Sequence, residues 1–257
     1  NMQYAIENGK VYVLEANPRA SRTVPLVSKV CNIRMVPLAI DIVTSELTGR
    51  PSPVPALKEQ DIPYYGVKES VFPFNMFPEV DPILGPEMRS TGEVLGLSQF
   101  WGEAFFKAQE ATQTKVPLEG RVLITVNDKD KAEVAEVARE FVNTGFKIYA
   151  SRGTKKVLEQ AGIEAEQIDK LQEGRPNMLD LITNGKLDLI INTPIGKESA
   201  WDDSYLRKAA IKKKVPYITT MAAARATVSG IKSMKMQGCG EVRSLQELHK
   251  MIKDKEQ

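Results

Sequence analysis

Side chains suited to metal and phosphate chemistry cluster near the start of the chain. Glu15 and Asn17 are two residues apart in a strand-like segment, so both side chains are expected on one face of that strand. Two oxygen donors on one face suit a hard cation such as Mg2+, which takes its remaining ligands from phosphate oxygens or water. Arg19 and Arg22 follow at once, and guanidinium groups bind phosphate or carboxylate. On spacing alone, an ordinary surface strand that carries Glu and Asn stays an alternative.

The loop of a predicted hairpin decides whether Gln3 joins these donors. Asn8-Gly9 lies between two β-rich runs, which predicts a hairpin from Gln3 to Glu15. A two-residue turn pairs Gln3 with Leu14 and puts Gln3 and Glu15 on opposite faces. A three-residue loop with its glycine in the left-handed bulge position pairs Gln3 with Val13 and puts Gln3 on the face of Glu15. If Gln3 is a ligand, we therefore predict the bulged loop, and a plain two-residue turn argues against the assignment.

A second group of polar side chains follows the strands predicted in the second half of the chain. Ligands of open α/β sheets bind outside the carboxyl ends of the parallel strands, so side chains at those ends are expected to meet. The residues at these positions are Lys131, Ser151, Thr154, Lys170, Asn192 and Thr193. Ser151 and Thr154 also open a predicted helix, whose backbone N–H groups favour an anion. The group predicts a phosphate site; ordinary helix caps and solvated lysines stay an alternative on spacing alone.

The elements that would position this second group alternate regularly between strand and helix. The predicted strands are 121–126, 146–150, 168–171, 187–191 and 217–219. The predicted helices are 130–143, 154–161, 178–184, 203–213, 222–230 and 245–254. The segment 187–191 is an apolar run of the kind that is buried on both faces of a parallel sheet. This half is therefore predicted to be a doubly wound α/β domain with a mostly parallel sheet.

The first half is less regular and is predicted to be α+β. After the hairpin, the apolar spacing predicts a helix around 24–30 and another over 36–43 that ends before Gly49. Strands at 69–74 and 88–97 and a helix at 99–111 follow. The polar, proline-containing segment after this helix is typical of a domain junction. We therefore expect domains of residues 1–113 and 114–257, in line with a length of 257 residues and roughly 150 residues per domain.

The composition excludes several functional classes. The 35 Lys and Arg residues nearly balance the 33 Asp and Glu residues, which argues against a dedicated nucleic-acid binder. A single histidine, His249, argues against histidine-based triads and multi-histidine metal sites. Two cysteines, Cys31 and Cys239, without a CxxC pair argue against a disulfide framework and suit a reducing cytosol. The sequence shows neither an apolar run long enough for a membrane span nor a signal peptide.

Two sequence blocks resemble a known family. The segment LEANPRASRTVP at residues 14–25 closely resembles the last strands of an ATP-grasp domain, more narrowly the second ATP-grasp half of the carbamoyl phosphate synthetase large chain. The segment DPILGPEMRSTGEV at residues 81–94 resembles the next block of that family as closely, and together the two are highly specific. The resemblance covers essentially the whole chain. The first residue, Asn1, lies in a strand-like pattern, so we expect the chain to be a piece of a longer protein.

The resemblance implies the end of a carbamate-phosphorylating ATP-grasp domain followed by a methylglyoxal-synthase-like domain. In that family Gln3, Glu15 and Asn17 correspond to ligands of Mg2+ or Mn2+, and Arg19 and Arg22 are catalytic residues at the phosphates of ATP. The reaction converts carbamate into carbamoyl phosphate, and it needs positioning and charge neutralisation rather than a side-chain base. The family is a cytoplasmic ligase of pyrimidine and arginine biosynthesis that works with a small glutamine amidotransferase subunit. Without the rest of the ATP site, the fragment alone is not expected to be active.

The second half resembles the methylglyoxal-synthase-like domain that is allosteric in carbamoyl phosphate synthetases. This resemblance implies a site for UMP as inhibitor or IMP as activator, lined by the six strand-end residues named above. Ser151 stands where many relatives have Thr, and Pro194 stands where some bacterial members have a second Thr, which leaves the effector open. Methylglyoxal synthase itself has a Gly-Gly-Asp after its phosphate loop. The segment 173–176 (EGRP) lacks that aspartate, so synthase activity is not expected.

A third site and a second function stay open. Some bacterial members of the family bind ornithine as an activator between the two halves, and the matching positions are Glu69, Phe72, Tyr217 and Thr219. Glu69 suits an amino group, whereas Phe72 and Tyr217 are equally well explained as packing residues. The alternative function is a stand-alone, non-catalytic nucleotide-binding regulatory module. The sign of regulation and the assembly, including an oligomer of the full heterodimer, stay open as well.

Overall fold

The computed structural model describes residues 1–54, 58–77, 84, 87–193, 200–238 and 240–254. The chain separates into two compact units, Asn1–Tyr64 together with Val242–Gln257, and Tyr65–Glu241. The domain boundary expected between residues 113 and 114 lies inside the second unit and stays a prediction. None of the helices described combines the length and the hydropathy that crossing a bilayer requires.

The described strands and helices are numbered in chain order. The strands are β1 (Met2–Glu7), β2 (Lys10–Ala16), β3 (Gln60–Asp61), β4 (Tyr65–Val71), β5 (Gly92–Ser98), β6 (Gly120–Thr125), β7 (Phe146–Ala150), β8 (Glu166–Gln167), β9 (Leu189–Asn192), β10 (Tyr217–Ile218) and β11 (Lys253–Asp254). The helices are α1 (Thr23–Val30), α2 (Met35–Thr48), α3 (Trp101–Ala111), α4 (Lys131–Asn143), α5 (Arg152–Gln160), α6 (Met178–Thr183), α7 (Ala200–Lys213), α8 (Met221–Gln237) and α9 (Leu245–His249).

The first unit contains a β-hairpin, two helices and the C-terminal segment. β1 pairs antiparallel with β2, and β3 pairs antiparallel with β11. The helix expected over 245–254 is too long, because α9 ends at His249 and the chain then extends to pair with β3. The Nε2–H of His249 donates to the Lys29 carbonyl over 2.7 Å, so the single histidine has a structural contact.

The hairpin has a two-residue turn, so the predicted three-residue loop is wrong. Glu7 pairs with Lys10, and Asn8 and Gly9 take the positive φ values of 48° and 75° that a type I′ turn requires. The register then shifts by one residue: Tyr4 pairs with Val13, but Gln3 pairs with Glu15. Leu14 is the extra residue of a β-bulge. Gln3 and Glu15 are therefore directly opposite and share a face, because the bulge compensates for the turn.

The second unit is built on a five-stranded parallel sheet in the order β10-β9-β6-β7-β8. Alternate strand residues point to opposite faces, and each face meets its own hydrophobic cluster. Val122 and Ile124 pack with the cluster that contains Phe141 of α4, whereas Leu123 packs with the cluster that contains Ile182 of α6. Both faces of the sheet are thus covered by helices, and the predicted doubly wound α/β fold is confirmed.

Further differences from the sequence prediction concern element ends. The strand expected at 69–74 is β4 at Tyr65–Val71, so Phe72 and Phe74 lie beyond it. A strand was expected at 168–171, but the strand in this part of the chain is β8 at Glu166–Gln167. Its pairing with β7 ends with the hydrogen bond from the Ile168 N–H to the Ala150 carbonyl. The helix expected at 222–230 continues to Gln237, and the positive φ of Gly238, 68°, ends it there. Before the sheet, β4 and β5 form an antiparallel pair, and α3 packs closely on it. A Cβ added to Gly96 of β5 would collide with the Ala104 carbonyl oxygen of α3.

Candidate functional site

A polar cavity of about 290 Å3 lies at the carboxyl edge of the parallel sheet. All six residues that the sequence predicted at strand ends line it: Lys131, Ser151, Thr154, Lys170, Asn192 and Thr193. The cavity is also lined by Asp128 and Arg152, which are neighbours of the predicted residues, and by Thr125 and Asp203, which the sequence reasoning missed. The loops after β6, β7 and β9 and the start of α5 thus converge on one place. This is the arrangement expected of a ligand site in an open α/β sheet.

Hydroxyl groups form a buried chain along one wall of the cavity. Thr125 Oγ1 donates to Ser151 Oγ over 3.0 Å, and Ser151 Oγ donates to Thr154 Oγ1 over 3.2 Å. Thr154 Oγ1 also accepts from the backbone N–H of Val126 over 3.2 Å, and the residue is 1% exposed. Two donors therefore occupy the Thr154 oxygen, which leaves the Thr154 hydroxyl proton for a ligand oxygen.

Thr193 has the same arrangement on the neighbouring strand end. Its Oγ1 accepts from the backbone N–H of Asn127 over 3.0 Å and from Asn127 Nδ2 over 3.1 Å. The Thr193 hydroxyl proton is thus also left for a ligand. Pro194, which was expected to affect the choice of effector, lies outside the described residues.

The start of α5 adds backbone donors to the cavity. Ser151 is at the N-cap position of α5, yet its side chain makes no capping hydrogen bond to the helix in the described structure. Its hydroxyl instead hydrogen-bonds the hydroxyl groups of Thr125 and Thr154, so the helix-cap alternative does not explain the position of Ser151. The first N–H groups of α5 and the positive end of the helix dipole therefore favour an anion at this point.

Lys131 and Lys170 supply positive charge to the cavity, and the Asp128 carboxylate forms an ion pair with Lys131. Lys131 Nζ contacts Asp128 Oδ1 at 2.6 Å and lies 3.4 Å from where a side chain on Gly153 of α5 would begin. Asp128 is exposed, and the hydrogen bond from Lys131 lowers the pKa of its carboxyl, with a further lowering from the charge of Lys170. Both lysines thus act on the same small region beside the start of α5.

A buried network holds Asn192 at the other end of the cavity. Asn192 Nδ2 donates to Asp203 Oδ1 over 2.8 Å and to Tyr217 Oη over 2.5 Å. Asn192 and Asp203 are both buried, and Arg207, also buried, hydrogen-bonds the Tyr217 hydroxyl. Burial raises the pKa of Tyr217 to about 12, so the phenol stays protonated at neutral pH.

The residues proposed for ornithine lie in different settings. Glu69 of β4 accepts a hydrogen bond from Gln109 Nε2 over 2.9 Å. Tyr217 has its hydroxyl in the Asn192 network, and Thr219 is exposed just after β10. Phe72 stacks on Phe74 with ring centroids 5.2 Å apart, as the packing alternative predicted. The contacts described for these residues do not join Glu69 to Tyr217 or Thr219, so an ornithine site stays a prediction.

In the first unit, the oxygen donors predicted as metal ligands share one strand face. Gln3 and Glu15 are directly paired. The pairing continues to Asn17, whose backbone N–H donates to the Asn1 carbonyl over 2.7 Å, so Asn17 lies on the same face. One carboxylate and two amide oxygens fit a hard cation that takes its other ligands from phosphate and water. Within the described ranges, the structure shows no cluster of three or more His, Cys, Asp or Glu residues that could hold a metal ion.

The two predicted catalytic arginines lie in the segment that joins β2 to α1. Arg19 is exposed, and its Nη1 donates to the Ala20 carbonyl over 3.4 Å. Arg22 is exposed at the N-cap position of α1. Both side chains are therefore accessible from solvent.

The fold and the cavity of the second unit define an open α/β domain with a candidate ligand site at its strand ends. The family model for the MGS-like domain matches residues 133–219, which run from α4 to just beyond β10. This match contains five of the six predicted cavity residues, and Lys131 lies two residues before it.

Nearly the whole chain is similar to carbamoyl phosphate synthase large chains. It is 44% identical over 266 residues to "Carbamoyl phosphate synthase large chain, C-terminal section" of Aquifex aeolicus, covering 97% of this chain and 50% of that protein. The protein of the same description from Methanopyrus kandleri is 47% identical over 255 residues, which are 96% of this chain and 46% of that one. A "Carbamoyl phosphate synthase large chain" from Archaeoglobus fulgidus is 47% identical over 251 residues, which are 97% of this chain and 23% of that one.

The chain is therefore homologous to the C-terminal section of carbamoyl phosphate synthase large chains, and the resemblance found in its sequence blocks is confirmed. It spans between about a quarter and a half of the length of these relatives.

Proposed function

We propose that this chain is the C-terminal part of the large chain of a glutamine-hydrolysing carbamoyl phosphate synthase, and that its second unit binds a nucleoside monophosphate as an allosteric effector. The observation that carries the proposal is the convergence of six polar residues from separate strand ends on one cavity. The similarity to large chains along nearly the whole sequence supports the enzyme. The proposal includes a cytoplasmic location and a small amidotransferase subunit as partner.

The effector would bind with its phosphate at the start of α5. There the Thr154 hydroxyl and the first backbone N–H groups of the helix donate hydrogen bonds, and Lys131 and Lys170 neutralise the two negative charges. Lys131 would exchange its contact with Asp128 for the phosphate. The nucleoside would extend towards Asn192 and Thr193, and UMP and IMP are the effectors we propose.

Calorimetry with UMP tests the effector site. Lys131→Ala and Thr154→Ala are expected to weaken UMP binding by at least tenfold, because each removes a donor to the phosphate. Lys129→Ala is the matched control, since it removes an exposed lysine two residues away that does not line the cavity. Thr154→Ser keeps the hydroxyl and should restore binding. Unchanged affinity in both alanine variants would remove the site assignment.

The proposal also includes a metal site on the strand face of the first unit. Gln3, Glu15 and Asn17 would hold Mg2+ or Mn2+, which neutralises phosphate charge when MgATP is bound. Arg19 and Arg22 would bind and orient the phosphates through their exposed guanidinium groups. The activity of the whole enzyme, ATP-dependent phosphorylation of carbamate, needs residues beyond those of this chain.

Glu15→Ala tests the metal face in a full-length large chain that carries this sequence and is assembled with its amidotransferase subunit. The variant is expected to lose ATP-dependent synthesis of carbamoyl phosphate, because it removes the single carboxylate of the donor set. Glu7→Ala, an exposed carboxylate at the other end of the hairpin, is the control. Normal synthesis by the Glu15 variant would refute the metal-ligand role.

A further inference from the structure

The Asn192 side chain has both of its amide hydrogens engaged by the protein. A primary amide offers two N–H donors and one acceptor oxygen. Asn192 Nδ2 contacts Asp203 Oδ1 at 2.8 Å and Tyr217 Oη at 2.5 Å, so both donors have partners. A carboxylate accepts hydrogen bonds and cannot donate them, so Asp203 determines which end of the amide is the nitrogen. With the carboxylate ionised, the flipped amide would put two oxygens together in a buried place.

The acceptor end of this amide is left for a ligand. Asn192 lines the cavity, and the described contacts give its Oδ1 no protein partner. An amide oxygen repels a phosphate oxygen and accepts from an O–H or N–H group. The cavity thus has two chemically different ends, with donors at the start of α5 and an acceptor at the end of β9.

We propose that Asp203 is a positioning residue that fixes the Asn192 amide with its carbonyl towards the ligand, so that the site selects a phosphate monoester that also carries a hydroxyl or N–H donor. This inference rests on the proposed function, because it assumes that the cavity binds a phosphate ligand. The fixed orientation of the Asn192 amide would allow the cavity to distinguish a nucleotide from inorganic phosphate. The Tyr217 hydroxyl accepts the second N–H of this amide.

Asp203→Asn in the intact chain tests the positioning role. An amide at position 203 accepts or donates, so Asn192 is no longer held in one orientation. We expect the affinity for UMP to fall about tenfold, as for one lost hydrogen bond, while the affinity for inorganic phosphate stays unchanged. Thermal unfolding of the variant, followed by circular dichroism, checks that it is folded. Equal loss for UMP and phosphate would indicate a merely structural role and would overturn the inference.

A ligand series on the wild-type chain tests the same rule without any substitution. The probes are UMP, its 2′,3′-dideoxy derivative and its N3-methyl derivative, which lack the ribose hydroxyls and the base N–H respectively. We expect one of the two derivatives to bind about tenfold more weakly than UMP to the wild type, and to bind Asp203→Asn as UMP does. Equal binding of all three by the wild type would overturn the inference and leave the effector site standing. Failure of the wild type to bind either UMP or inorganic phosphate would instead contradict the proposed function, and this inference with it.

Discussion

Asp128 is the residue that most directly opposes a phosphate in the cavity. Its carboxylate contacts Lys131 at 2.6 Å and lies in the field of Lys170, so it holds the place that a ligand phosphate would take. Asp128→Asn is therefore expected to raise the affinity for UMP. The gain should be about two- to fivefold, because a solvent-exposed ion pair is only weakly stabilising.

Calorimetry at constant ionic strength measures this gain. Glu164→Gln removes the same charge from an exposed position away from the cavity, and it controls for net charge. If the Asp128 variant binds UMP no better than the wild type does, the carboxylate is not a competitor of the phosphate.

Tyr217 makes stability depend on pH in the alkaline range. Burial raises the pKa of its phenol to about 12 in the folded chain, above the ordinary value of 10.0. The folded state therefore keeps the proton that the unfolded state loses, and stability falls as the pH rises from about 10 towards 12. At pH 11.5 the protein has lost about 2 kcal/mol of unfolding free energy through this group, since one pKa unit corresponds to roughly 1.4 kcal/mol.

Denaturant unfolding of the wild type and Tyr217→Phe at pH 9 and pH 11.5 checks this contribution. The loss of unfolding free energy between the two pH values is expected to be smaller in the variant by about 2 kcal/mol. Tyr205→Phe, which changes a 46% exposed tyrosine on α7, should lose as much as the wild type. Equal losses in all three proteins would show that Tyr217 is not the group responsible.

At the scale of elements, the approach of α3 to β5 depends on one glycine. A Cβ at Gly96 would collide with the Ala104 carbonyl oxygen and lie 2.6 Å from the Ala108 nitrogen, and both are backbone atoms that cannot rotate away. Gly96→Ala should lower the free energy of unfolding by about 1–3 kcal/mol, as overpacking does. Gly92→Ala in the same strand is the matched control, because its Cβ would meet nothing within 4 Å.

Urea unfolding of the two glycine variants measures the difference. The Gly92 variant should stay within about 0.5 kcal/mol of the wild type. A Gly96 variant as stable as the Gly92 variant would mean that α3 and β5 are not packed as closely as described.

The sequence predicted the elements of the second unit well for a physical reason. Apolar spacing reports which faces are buried, and in this unit the sheet is buried on both sides, as Leu189–Asn192 shows. The same logic located the cavity, because the carboxyl ends of parallel strands must lie at one edge. It could not find Asp203, which reaches the cavity from inside α7 and follows no strand end.

The hairpin shows where sequence reasoning stopped. Asn8-Gly9 correctly indicated a hairpin, but the register also depends on the bulge at Leu14. The apolar residues around Leu14 are exposed on the hairpin, so hydrophobic alternation does not reveal which residue is left unpaired. The prediction that Gln3 and Glu15 share a face therefore rested on a three-residue loop, which is wrong. The two residues nevertheless lie opposite each other because of the bulge.

At the scale of the whole molecule, nearly all of the core belongs to the second unit. Both hydrophobic clusters lie within Tyr65–Glu241, whereas the first unit buries only Ser45, Tyr64 and Leu248 among its described residues. A chain of residues 65–241 is therefore expected to fold and to bind UMP with the affinity of the intact chain. The cavity residues are all in this segment.

A shorter chain, 114–241, starts at the boundary expected from the sequence. It tests whether the folded unit begins at residue 114 or at residue 65. It lacks α3, whose Gly102 comes so close to α8 that a Cβ there would lie 2.7 Å from the Ser229 carbonyl oxygen. Loss of α3 removes the buried Phe106 with it and uncovers the facing surface of α8, including Gly230. Since burying one such side chain contributes about 1.5–3 kcal/mol, 114–241 should melt well below 65–241 or fail to stay in solution. Thermal unfolding of both chains by circular dichroism decides the question, and equal melting temperatures would place the folding boundary at residue 114, where the sequence alone put it.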